Sequence, residues 1–179
     1  MKHSIEKNNI FKFLKAESIV KSIDCSQPIE IIETKNTSSG SKSVKIQNLN
    51  CDSKYWLLNP ENNTFIESKK KKVERILLEE ANEQLNIFLI EMKSTRVNKA
   101  DVEEKFKYSL SWIYILLNLL NHSEKRNIKV YGIIVAQKKL NWNENDTLNI
   151  LSSTSIRYKK KSFYTNNSIY TINFNEMKS

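Results

Sequence analysis

Glu91 and Lys93 stand two residues apart at the end of an apolar run, Ile87-Phe88-Leu89-Ile90-Glu91-Met92-Lys93-Ser94. In a β-strand alternate side chains share a face, so Glu91 and Lys93 point one way while Ile90 and Met92 point the other. A carboxylate can hold a divalent cation, and an ammonium beside it can offset phosphate charge or position a water. Such a pair could serve as half of a metal-dependent phosphodiester-cleaving site. A second acid on a neighbouring strand would complete it. Val73 to Glu80 reads as that strand, Ala81 to Asn86 as a polar connection, and Ile87 to Lys93 as the return strand of a hairpin. In an antiparallel pair the start of the first strand meets the end of the second, so Glu74 and Glu91 could converge on one cation. Asp52, in Asn50-Cys51-Asp52-Ser53 ahead of Tyr55 to Leu58, is the rival for the role of Glu74.

An acid, a hairpin and then Glu-x-Lys resembles the PD-(D/E)xK nuclease superfamily, the restriction-endonuclease-like fold, over roughly residues 70 to 136. The resemblance implies an αβββαβ core with a mixed central sheet flanked by helices, an α/β (α+β) protein overall. It also implies dependence on Mg²⁺ or Mn²⁺ and hydrolysis of nucleic-acid phosphodiester bonds. Glu91 and Lys93 match the (D/E)xK pair, and Glu74 takes the place of the first acid. By the same resemblance Glu74, Glu91 and the backbone carbonyl of Met92 are the metal ligands, and Lys93 lies against the attacked phosphate. The chain departs from the pattern in one respect: the first acid is usually Asp and often follows Pro, whereas Val73-Glu74 stands here, and Glu is longer by one methylene. DNA is the default substrate, with genome defence or repair as the setting. Members of the superfamily often dimerise to cut both strands, so a homodimer or a partner protein is implied as well. A catalytically inactive nucleic-acid-binding or protein-interaction module on the same fold is the competing reading.

The elements that must position these groups follow from periodicity. Ser4 to Ile23 reads as a helix from the recurrence of Ile10, Phe11, Phe13, Leu14, Ile19 and Val20, with Glu17 as a possible further acid. Pro28 breaks the chain; Ile29 to Glu33, Val44 to Leu49 and Tyr55 to Leu58 read as short strands. From about Ala100 to Asn121 a helix is expected, with Val102, Phe106, Leu110, Ile113, Leu117 and Leu120 as its apolar stripe. Asp101, Glu103 and Glu104 fall in its first turn, where the helix dipole favours acids. Lys105 or Lys107 could face the site, with ordinary helix surface the favoured reading for both. In some members of the superfamily a Gln-x-x-x-Tyr on this helix contacts substrate; Glu104 and Tyr108 stand at that spacing, with Glu in place of Gln. Ile128 to Ala136 is β-prone and apolar on both faces, as a central strand parallel to a neighbour should be. The expected organisation is one domain, with its core at about 44–136 and a β-rich C-terminal extension at about 140–179. Short strands are expected there at Leu148 to Leu151, Ser155 to Tyr158, Phe163-Tyr164 and Ser168 to Phe174.

The 179 residues carry 29 Lys+Arg against 20 Asp+Glu, a formal net charge of +9 that favours polyanionic partners. Two clusters could meet phosphate: Lys70, Lys71 and Lys72 just before Glu74, and Arg157, Lys159, Lys160 and Lys161, interleaved with Tyr158, Phe163 and Tyr164. Cys25, Cys51, His3 and His122 show no zinc spacing, so the cysteines read as reduced thiols. Neither a secretory signal nor a membrane span is recognisable, so no membrane partner is expected and the expected location is cytoplasmic.

Overall fold

The computed structural model describes residues 12, 14, 19–32, 43–60, 71–82, 84–93, 98–119, 127–136, 145–151, 154–164 and 169–179, with the backbone alone described at 145–157. The fold is α+β, built on two mixed sheets. The strands are β1 (Val20–Ile23), β2 (Ile29–Ile32), β3 (Ser43–Gln47), β4 (Lys54–Leu58), β5 (Arg75–Ala81) and β6 (Gln84–Lys93). Helix α1 (Lys99–Leu119) follows, then β7 (Asn127–Ala136), β8 (Asn145–Leu151), β9 (Thr154–Tyr164), β10 (Ile169–Asn173) and a 3-10 turn at Phe174–Met177.

The large sheet has seven strands in the order β1-β4-β5-β6-β7-β9-β8, and the small sheet has three in the order β10-β3-β2. Strands β4, β5 and β6 form an antiparallel meander, β7 returns parallel to β6, and β9 lies parallel to β7. Strand alternation divides the large sheet into two faces. Ile76, Leu78, Leu85, Ile87, Leu89, Val130 and Ile134 meet α1 on one side. Leu77, Phe88, Ile90, Tyr131, Ile133 and Phe163 meet Ile29, Ile31, Val44 and Ile46 of the small sheet on the other. The expected helical cover on both faces is thus corrected: among the described residues α1 covers one face, and the second is closed by β10-β3-β2. The C-terminal strands are not an appendage either. β8 and β9 extend the large sheet, and β10 crosses over to pair parallel with β3.

Val102, Phe106, Leu110, Ile113 and Leu117 of the expected α1 stripe are all fully buried, while Leu120 lies outside the described residues. Other expectations fail for identifiable reasons. Lys12 and Leu14 are helical, but Val20–Ile23 is a strand, because its pairing with β4 outweighs the helical spacing of its apolar residues. Glu17 lies outside the described residues. The polar stretch Gln84-Leu85-Asn86 belongs to β6, not to a connection. Its Asn86 is buried yet satisfied, donating from Nδ2 to Oε2 of cross-strand Glu79 at 2.6 Å. Asn82 makes the tight reversal with φ 54°, a backbone region that Asn tolerates. Residues 154–164 form one long strand where two short ones were expected, since unbroken pairing with β7 carries the chain through the lysine run. Cys25 and Cys51 are not free thiols: the turns after β1 and after β3 bring their Cα atoms to 5.3 Å, and they form a disulfide. No described helix is long and apolar enough to cross a membrane.

Glu79 centres a polar knot between the sheets. It is 1% exposed, and its carboxylate accepts from the Tyr55 hydroxyl at 3.0 Å, from Asn86 and from Lys178 Nζ at 2.7 Å. Phe174 packs beside it, edge-on to Tyr55 and tilted against Phe88, with Lys178 above its ring. Burial and the charge of Glu79 push the Tyr55 phenol up from 10.0 to about 12. The native phenol therefore keeps its proton where the unfolded one has lost it. This stabilisation is full below the ordinary tyrosine pKa of 10.0 and is lost as pH rises through about 12. Urea midpoints across that range should decline with pH in the wild type and decline less steeply in Tyr55→Phe.

α1 packs directly on Gly132 of β7, where a Cβ would sit 2.5 Å from Cε2 of the Phe106 ring. Gly132→Ala should cost about 1–3 kcal/mol in denaturant unfolding, as overpacked cores do. Adding Phe106→Leu should recover part of the loss.

Candidate active site

Glu91 and Lys93 end strand β6 on the face beneath α1, as alternation from Leu85, Ile87 and Leu89 requires. Glu91 is 0% exposed. Its Oε1 accepts from Lys105 Nζ of α1 at 2.5 Å and from Lys93 Nζ at 3.0 Å. Its Oε2 is buried and has no hydrogen-bond partner among the described residues. Lys93 also reaches Asp101 Oδ2 at 3.2 Å, and Lys71 Nζ lies 3.8 Å from the other oxygen of Asp101. Charges thus alternate from solvent inward through Lys71, Asp101, Lys93, Glu91 and Lys105.

Local structure explains why these groups meet. β6 continues past the hairpin register to Lys93, paired with Ala136 of β7 at its tip. α1 begins at Lys99, so its first two turns lie over that tip and carry Asp101 and Lys105 down to it. The Asn98 side chain caps the helix by accepting from the Ala100 and Asp101 amides. Phe106 seated over Gly132 sets the depth of the helix. Ser109 Oγ accepts from the Val73 amide at 2.9 Å, which fastens α1 to the chain just ahead of Glu74.

Glu74 sits in the bend that leads into β5 and is 3% exposed. The β5–β6 ladder ends at the Arg75–Ile90 pair, and Glu74 and Glu91 are the next residue on either chain beyond it. Asp52 is not brought to this point. It is exposed in the turn before β4, and Lys54 pairs with Glu80, which pairs with Leu85 at the hairpin end of β6. The six residues from Leu85 to Glu91 put Asp52 about 20 Å away along the sheet. Met92 turns its side chain into the opposite core, and its carbonyl lies in the sheet plane beside Val135. Among the described residues no three His, Cys, Asp or Glu side chains converge as a metal cluster.

The lysine runs are split by their own backbone. Lys71 is exposed and Lys72 is buried; Lys70 lies outside the described residues. Along β9, Lys160 points under α1 to Glu103 at 3.3 Å and is 7% exposed, so it is corrected from a phosphate contact to a structural cation. Lys161 points to the other face and donates to the Ser179 hydroxyl. Lys159 is exposed, and Arg157 is described by its backbone alone. Three consecutive lysines on a strand cannot make one patch, because alternation sends them to two faces. Glu104 is exposed and Tyr108 half-buried, one turn apart on α1.

Two members of the cluster take roles other than those the sequence reading favoured. Lys105 read as helix surface but is buried, and Asp101 read as a dipole-favoured acid but holds Lys93. The signal for Lys105 was its place between Val102 and Phe106, inside the buried arc of the stripe. Burial would lower the Lys93 ammonium, but the carboxylates of Glu91 and Asp101 outweigh it and hold its pKa above the ordinary value. Burial likewise would raise Asp101, yet Lys93, Lys105 and Lys71 hold its carboxyl below the usual range. No protein-family profile, no curated protein and no solved structure matches this chain.

Glu91→Ala would strip a buried ammonium of its counter-charge and should cost about 3–5 kcal/mol in guanidinium unfolding. Asp101→Asn, at the solvated rim, should cost less than about 1 kcal/mol.

Proposed function

We propose that this chain is a metal-dependent nuclease that hydrolyses nucleic-acid phosphodiester bonds, DNA by default, with Mg²⁺ or Mn²⁺ as its cofactor. One observation carries the reading. Glu91 is fully enclosed, has one carboxylate oxygen without a partner among the described residues, and stands one residue beyond the Arg75–Ile90 pair at which the β5–β6 ladder ends, with buried Glu74 one residue before Arg75. The order of the elements supports it, because an antiparallel meander, a helix and a strand parallel to β6 is the succession a restriction-endonuclease-like core requires. Genome defence or repair is the setting that fits such an activity.

In this reading Glu74, Glu91 and the Met92 carbonyl hold the cation. When bound, the cation supplies Lewis-acid activation of water and neutralises charge building on the phosphoryl oxygens. Lys93, oriented by Glu91 and Asp101, places its ammonium against the scissile phosphate. Exposed Lys71 and Lys159 attract the flanking backbone, helped by the overall charge of +9.

Purified protein should cleave single- or double-stranded DNA in Mg²⁺ or Mn²⁺ and stop when EDTA is added. Glu91→Ala and Lys93→Ala should each reduce the rate by at least ~100-fold. Cleavage that survives both substitutions removes this mechanism. A second reading, an inactive nucleic-acid-binding module, is favoured by the two ammonium groups already on Glu91 Oε1. Its signature is binding that weakens with salt, with no cleavage in either metal.

A further inference from the structure

We propose that Lys105 is a displaceable placeholder for the divalent cation, so that metal binding at Glu91 requires its ammonium to leave. The proposal rests on the metal-dependent reading above and adds a regulatory element to the same site.

A fully buried carboxylate needs a positive partner in the metal-free protein, because an uncompensated buried charge costs several kcal/mol. Two ammonium groups meet that need at Glu91, and both contact the same oxygen. They are not held equally. Lys93 is shared between Glu91 and Asp101 and sits on the same strand as Glu91, two residues away. Lys105 has Glu91 as its one hydrogen-bond partner among the described residues, and it arrives from another element on a long flexible stem. Its Nζ stands 2.5 Å from Oε1, so a cation bound by both carboxylate oxygens would face a positive charge at close range. The side chain, 8% exposed, must swing away or α1 must shift. The depth of α1 is set by Phe106, the next residue, against Gly132. The ammonium thus stabilises the metal-free fold and opposes metal binding by the same contact.

Lys105→Met keeps the apolar stem and removes the charge. Isothermal titration of the full chain with Mn²⁺ alone should show about tenfold tighter binding in Lys105→Met than in the wild type. Its metal-free melting temperature should fall, and added Mn²⁺ should raise that temperature more than it raises the wild type's. Glu91→Gln should abolish Mn²⁺ binding in both backgrounds. If wild-type binding depends on Glu91 while Lys105→Met binds equally or more weakly, the placeholder role is overturned and the metal site stands. If neither protein binds Mn²⁺, both readings fall. Should Lys105→Met fail to fold, Lys105→Arg decides: its guanidinium pairs a carboxylate more persistently, so Mn²⁺ should bind more weakly than in the wild type, and equal binding overturns the proposal.

Discussion

A carboxylate enclosed beneath a helix organises one half of this molecule. Glu91 could not remain charged at full burial without compensation, and the nearest compensation comes from two different elements, its own strand through Lys93 and α1 through Lys105. The position of α1 is therefore electrostatic as well as apolar. The stripe from Val102 to Leu117 fixes which face is buried, the Phe106–Gly132 contact fixes how near the helix comes, and the Lys105 ion pair ties its second turn to the tip of β6. Asp101 then closes the rim by taking the other side of Lys93. Chemistry and packing share these residues, so the candidate site cannot be loosened without loosening the joint between helix and sheet.

The opposite face solves the same problem with partners on both carboxylate oxygens. Glu79 is as deeply enclosed as Glu91, yet both of its oxygens have partners: Tyr55, Asn86 and Lys178. That network joins β4, β5, β6 and the C-terminal turn, and it sits among stacked aromatic rings. A saturated carboxylate suits a joint between layers. Glu91, with one oxygen unpartnered among the described residues, is the one on which the proposed function draws. The contrast between the two buried glutamates, on opposite faces of one sheet, separates architecture from candidate chemistry within this chain.

Local periodicity made several parts of the fold legible. The alternation around Glu91 and Lys93 put both on one face, the four-and-three spacing of Val102 to Leu117 marked the buried side of α1, and the apolar β7 run read as a central parallel strand. Other parts depended on contacts between residues far apart in sequence. Val20–Ile23 looked helical until β4 supplied a partner. Gln84 to Asn86 looked like a turn because the burial of Asn86 is stabilised by Glu79, seven residues back. Lys105 looked like surface because a lysine inside an apolar arc has no local signature of the carboxylate that draws it in. The lysine run of β9 looked like one patch because composition carries no record of which face each residue takes.

The disulfide has a consequence for where this architecture can exist. Cys25 and Cys51 lie in the turns that carry the chain from β1 to β2 and from β3 to β4, two of the three points where it passes between the two sheets. One covalent bond thus locks both crossings at a single corner. Such a bond persists in oxidising surroundings and is opened by glutathione and thioredoxin in an ordinary cytosol, so the redox state around the protein decides whether this corner is locked.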